Sequence, residues 1–189
     1  MLIPPTGQDG LDWIADVDQA NGLFFAGAWL VILGGLFGLA ALLGFCEALQ
    51  GGSPLLGFVP VAAAVGFGLV TISHLIPIAL GYEMVPDFAA ADASTFDTFA
   101  ALALVLNYTG DALIWAFVVP LYGYVVLKTR TVPRWIGWLG LFVGVFAGLG
   151  NLLSPASSAI EAITFLGFVG FFVWIAAMGV ALLRRPAAA

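Results

Sequence analysis

Apolar residues run through this chain in long unbroken blocks, and no stretch alternates apolar with polar at every second position. Blocks that are apolar on every side, and long, read as helices rather than strands. A helix needs about 20 mostly apolar residues to cross a bilayer. Five blocks meet that requirement: about 22–47, 55–82, 95–127, 135–153 and 159–183. In hydrocarbon every backbone N–H and C=O must be paired inside the protein, and a helix does this within one segment. The pattern therefore predicts an all-α transmembrane helix bundle of about five spans.

The ends of the blocks carry their own chemistry. Asn21 is placed to cap the first helix, and Gln50-Gly51-Gly52-Ser53-Pro54 reads as a turn. Ser94-Thr95-Phe96-Asp97 and Ser158-Ala159-Ile160-Glu161 have capping-box spacing. Pro133 can open the fourth helix, and Ser154-Pro155 breaks the chain before the fifth. Pro60, Pro77 and Pro120 fall inside blocks, where each removes a backbone donor, so kinks are expected there. Gly34 and Gly38 in block one, and Gly140, Gly144 and Gly148 in block four, repeat every four residues. That spacing lines up small residues on one helix face for close packing. It is read as packing within the bundle ahead of a dimer interface.

Charge sets an orientation. Only 8% of the 189 residues are charged, against about a quarter in a soluble domain, so this chain cannot cover its own surface in water. The five basic residues are Lys128, Arg130, Arg134, Arg184 and Arg185. With five spans they fall on one side, which the positive-inside rule makes cytoplasmic. The expected layout is an acidic extracytoplasmic segment 1–21, a transmembrane domain 22–185 and a cytoplasmic tail 186–189, in the cell membrane. The first ten residues lack the basic start of a cleavable signal peptide, so the first helix is expected to insert uncleaved. Asp9, Asp12, Asp16, Asp18, Glu83, Asp87, Asp92 and Asp97 fall on the outer face in this layout, and Glu47 at the inner end of block one. Leu11, Ile14 and Val17 recur at three-residue spacing among those acids and are expected to form a short surface helix. Met84 to Ala93 is the longest outer loop, a plain connector ahead of a lid.

Polar groups inside spans are functional candidates by default. His74 stands nine residues before Glu83, about 13 Å along a helix. Thr71 shares its face three residues away. Asp111 lies in the middle of block three, one turn from Asn107 and one turn from Trp115, all on one face. Thr71, His74, Asn107, Asp111 and Trp115 are thus the candidates for ligand binding or proton handling. Asn151 and Glu161 bracket the turn between blocks four and five, and could join them. The plainer alternative is that His74 and Asp111 hydrogen-bond between helices and set the bundle's register.

Several chemistries are excluded or disfavoured. One cysteine, Cys46, cannot build an internal disulfide or a thiolate cluster. One histidine cannot supply both axial ligands of a haem within the chain, nor a multi-histidine metal site. The only lysine, Lys128, sits at a helix end, so no retinal Schiff base is expected. An acidic exterior is unsuited to nucleic acid. No nucleophile with its base, phosphate loop or dinucleotide fingerprint is present.

Val132-Pro133-Arg134-Trp135-Ile136-Gly137-Trp138-Leu139-Gly140, a glycine-rich span, and a last helix with Trp174 that ends Gly179-Val180-Ala181-Leu182-Leu183-Arg184-Arg185 together form a familiar ending. These last sixty or so residues resemble small prokaryotic multi-pass membrane proteins of the domain of unknown function 4386 type. The resemblance implies a membrane bundle, and it carries over no established catalytic residues. The expected function is a non-enzymatic accessory or structural subunit, or a binder of an apolar small molecule or lipid, alone, as a homo-oligomer or in a larger membrane complex. A small proton-coupled transporter using His74 and Asp111, and a membrane enzyme acting on a lipid, are the alternatives.

Overall fold

The computed structural model describes residues 10–49, 53–84, 93–153 and 158–184, and every regular element among them is helical. In chain order these are α1 (Gly10–Gln19), α2 (Asn21–Ala48), a 3₁₀ turn (Pro54–Phe58) and α3 (Val59–Met84). There follow α4 (Ala93–Asp111), a π-helical stretch (Ala112–Val118), α5 (Val119–Thr129) and α6 (Arg134–Val143). A second π-helical stretch (Gly144–Leu149), α7 (Gly150–Leu153) and α8 (Ser158–Leu183) complete the chain. Five stretches are long and apolar enough to span a bilayer: Gly22–Ala48, Pro54–Tyr82, Thr95–Thr129, Arg134–Leu153 and Ile163–Leu183. They follow the five sequence blocks closely, and are called spans one to five below.

What surrounds these helices follows from their surfaces. In each span only 22% to 44% of the most apolar stretch is buried. Leu23, Phe37, Phe58 and Phe165 are among the large apolar side chains that point outward. An aqueous surface rarely presents so much contiguous hydrocarbon, whereas lipid tails solvate it readily. The chain is a multi-pass, all-α membrane protein.

Contacts divide it into two compact units. Unit 1 is Met1–Phe37 with Gly68–Thr109. Its core joins Trp13, Val17, Phe24, Leu80, Phe96 and Ala100, with Phe25 and Ile76 packed against them. The Trp13 ring meets Phe24 edge-on at 5.4 Å and Phe96 at 5.1 Å. Eleven residues of straight helix would separate Trp13 from Phe24 by about 16 Å, so the chain bends at Ala20 and α1 folds back. The sequence predicted this short helix and named Val17 on it, but not Trp13. Trp13 and Val17, four residues apart, are the buried positions, and the side chains of Leu11 and Ile14 lie outside the described set.

Unit 2 is Gly38–Phe67 with Gly110–Ala189. Here the glycine repeat of span four is a seam against the end of span three. A methyl group on Gly148 would meet the Ala116 backbone at 2.6 Å, one on Gly144 would collide with Pro120, and one on Gly140 would lie 3.2 Å from Gly123. The repeat therefore packs within the protein, with the two helices running antiparallel, backbone against backbone. Gly34, by contrast, has nothing near its missing side chain. Trp174 is fully buried beside Phe45, Tyr122 and Phe171. The Tyr122 hydroxyl donates to the Leu42 carbonyl, and the buried Cys46 thiol donates to Leu56 O at 3.4 Å. Trp135 and Trp138 are exposed beside Arg130 and Arg134, where interfacial anchors belong.

One expectation about proline needs correction. Pro60 makes no mid-helix kink: it lies in the first turn of α3, where a missing N–H removes nothing. The 3₁₀ turn before it starts at Ser53, whose hydroxyl accepts from Leu55 N–H at 3.3 Å. Pro120 lies two residues into α5, directly after the π-helical stretch and within the continuous span Thr95–Thr129. Pro77 lies deep inside α3. The turn at Gln50–Gly52, the loop segment 85–92 with Asp87 and Asp92, the Ser154–Pro155 break, Asp9 and Arg185 lie outside the described residues. The side chains of Asn21, Glu83, Ser94, Ser158 and Glu161 do so as well.

Candidate functional site

Three of the five sequence candidates, Thr71, His74 and Asn107, belong to unit 1. Pro77 cannot donate to the Ser73 carbonyl, so the polar traffic of this turn of α3 runs through side chains. Ser73, next to His74 in sequence, is fully buried. Its Oγ donates to Val70 O at 2.7 Å, and it lies 3.3 Å from the Asn107 side-chain amide on α4. His74 Nδ1 lies 2.8 Å from the same Val70 carbonyl and 3.2 Å from Ser73 Oγ. A carbonyl only accepts, so Nδ1 carries a proton. In the neutral ring Nε2 is then the remaining acceptor. Thr71 is half-buried one turn away.

Asp111 and Trp115 belong to unit 2. Asp111 is 6% exposed, in the middle of span three. The glycine seam sets its partner. Gly144 faces Pro120 and Gly148 faces Ala116, so one further turn brings Asn151 level with Asp111. There Asn151 Nδ2 donates to Asp111 Oδ2 at 3.2 Å. Asn151 was read from sequence as one of the groups that could converge near the outer end, and the pairing gives it a definite role. Trp115 is buried, with its ring 5.1 Å from Phe168 and 6.1 Å from Phe171. In chain order Asp111 immediately precedes the first π-helical stretch, and Asn151 stands two residues after the second. Nothing in the composition of Ala112–Val118 or Gly144–Leu149 announces a wider turn. The proline after the first and the glycines within the second were the available signals.

The arrangement offers hydrogen bonding and charge. Among the described residues, no group of three or more His, Cys, Asp and Glu side chains is placed to hold a metal ion. Comparison with known proteins finds no match, whether among family models, curated proteins or solved structures.

Proposed function

We propose that this multi-pass membrane protein is a non-enzymatic binder of an apolar small molecule or lipid, acting alone or as an accessory subunit. The observation that carries the reading is the Asp111–Asn151 hydrogen bond, with a π-helical stretch beside each partner. Ionisable groups in mid-span are expensive and are retained for function. π-helical turns are rare and gather at functional sites. Both features fall at one level of two neighbouring helices. Trp115, Phe168 and Phe171 supply apolar surface in the same unit.

Purification in mild detergent, followed by lipid mass spectrometry and an absorption spectrum, tests the reading. The expected result is a stoichiometric apolar molecule that is lost from Asp111→Asn and Trp115→Ala variants while helical circular dichroism is unchanged. A native protein that carries and takes up no apolar molecule removes the reading.

A second reading, proton-coupled transport, draws support from the same mid-span carboxylate and from the hydrogen-bonding contact of His74 Nδ1 with Val70 O. Proteoliposome uptake that survives Asp111→Asn would eliminate it. The kinship suggested by Val132–Gly140 and the last helix, and the orientation with the amino terminus outside, are proposed on the sequence grounds given above.

A further inference from the structure

We propose that the turn between α5 and α6, with the end of α8, forms a site for one phospholipid that has an anionic phosphodiester headgroup. The site is separate from Asp111, so it stands whether or not the binding reading above does. The register of unit 2 brings these helix ends together. Leu127 faces Gly137, Pro120 faces Gly144 and Ala116 faces Gly148, so α5 and α6 are antiparallel and residues 130–133 turn between them. α8 runs antiparallel to α6 in its turn, with Gly167 on Ala147 and Trp174 on Gly140. Ten residues further along each chain, the same pairing sets Arg184 level with Arg130.

This edge of unit 2 is positively charged. Lys128, Arg130, Arg134 and Arg184 are all exposed there. The unit has three acids in sequence, Glu47, Asp111 and Glu161. Asp111 is seventeen residues before Lys128, about 25 Å of helix, and Glu161 is further still from Arg184. That leaves Glu47, at the end of α2, as the one acid set against four cations. Arg130 holds φ 55°, a left-handed conformation that glycine adopts at no steric cost. The chain places a guanidinium there instead, and guanidinium pairs its donors with phosphate oxygens.

The surface beside the cations identifies the anion as a lipid. Trp135, Trp138, Phe142 and Val145 are exposed. At 100° per residue they fall within about 80° on α6, on the side opposite Gly137, Gly140 and Gly144, which face the protein. The stripe begins at the cations with two tryptophans, the side chains that favour the headgroup level. It then runs about 15 Å along the helix. That is half of a hydrocarbon core about 30 Å thick, the reach of one acyl chain. A free phosphate would use the cations and leave the stripe idle.

Native mass spectrometry of the full chain in mild detergent tests the proposal, with phosphatidylglycerol and phosphatidylcholine of identical acyl chains added in equal amounts. One phosphatidylglycerol per chain is expected to be retained, at least about fivefold over phosphatidylcholine, the scale of a single cation near a lipid surface. Arg130→Gly removes the charge and suits the left-handed cap, so it should melt no lower than the native chain while its lipid preference falls by about fivefold. Equal retention of the two lipids by the native chain overturns the proposal. So does an undiminished preference in a Lys128→Gln, Arg130→Gly, Arg134→Gln triple variant. Displacement of the lipid by glycerol 3-phosphate as readily as by short-chain phosphatidylglycerol would assign the site to a free phosphate and also overturn it. The comparison on the native chain needs no variant, so misfolding of the triple variant does not blunt the test.

Discussion

Gly148 shows how much a single hydrogen atom in place of a side chain decides here. Its Cα lies against the Ala116 backbone, so any Cβ must push span three away. Overpacking of this kind costs about 1–3 kcal/mol. Gly148→Val should therefore lower the thermal midpoint of the detergent-solubilised protein and also disturb the Asp111–Asn151 contact one turn away. Gly34→Ala is the matched control. It has open space around it and replaces a poor helix former with the best, so stability should rise by up to about 1 kcal/mol. If the two variants melt alike, the seam is not the close contact described. From sequence, both glycines belong to four-residue repeats, and only the neighbouring helix separates their roles. Ser73 makes the same point in polar form. It reads as an ordinary small residue, and its significance comes from what α4 brings within 3.3 Å. Arg130 is a smaller case: it ends α5 at φ 55°, a left-handed cap that composition favours giving to glycine, while its N–H bonds Val126 O.

The elements themselves were largely legible, and the exceptions have physical causes. Span boundaries follow solvation: a side chain either tolerates hydrocarbon or does not, and each residue declares this alone. The π-helical stretches, by contrast, arise where two backbones meet, and Ala112–Val118 has the composition of any apolar helix. The candidate site was legible in the same proportion. Asp111 and His74 stand out because they are costly in lipid, and Asn151 was in view. The hydrogen bond between Asn151 and Asp111 depended on the register of the glycine seam. For α1 the spacing of Leu11, Ile14 and Val17 drew attention from Trp13, whose ring buries more surface. Trp13→Ala should destabilise unit 1 by about 3 kcal/mol or more, the usual penalty for emptying a buried aromatic site. Hydrogen exchange measured on α1 reports it: loss of protection confined to Gly10–Gln19 and its packing partners is expected. Exchange that matches the native protein would mean that α1 does not depend on its indole.

At the scale of the whole molecule the outcome rests on the odd number of spans and on where the cations lie. All five lysines and arginines lie around two junctions: Lys128, Arg130 and Arg134 where span three gives way to span four, and Arg184 and Arg185 after span five. Two introduced cysteines test the layout. Asp18→Cys and Arg184→Cys, each in a Cys46→Ala background, should react with a membrane-impermeant maleimide from opposite faces of sealed vesicles. Asp18→Cys is the one expected to react in intact cells. Labelling of both from one face contradicts five crossings, and reversal of the two contradicts only the orientation. The substitution at Cys46 is a precaution, since the native thiol is buried against the Leu56 carbonyl.

The glycine seam also governs how unit 2 can move. Where main chain rests on main chain, no rotamer is available to absorb a shift. Slipping by a turn would unseat every contact from Gly137 to Gly148 together, so spans three and four behave as a stiff ribbon. Span five joins the same ribbon, because a side chain on Gly167 would run into the Phe146–Ala147 backbone of span four.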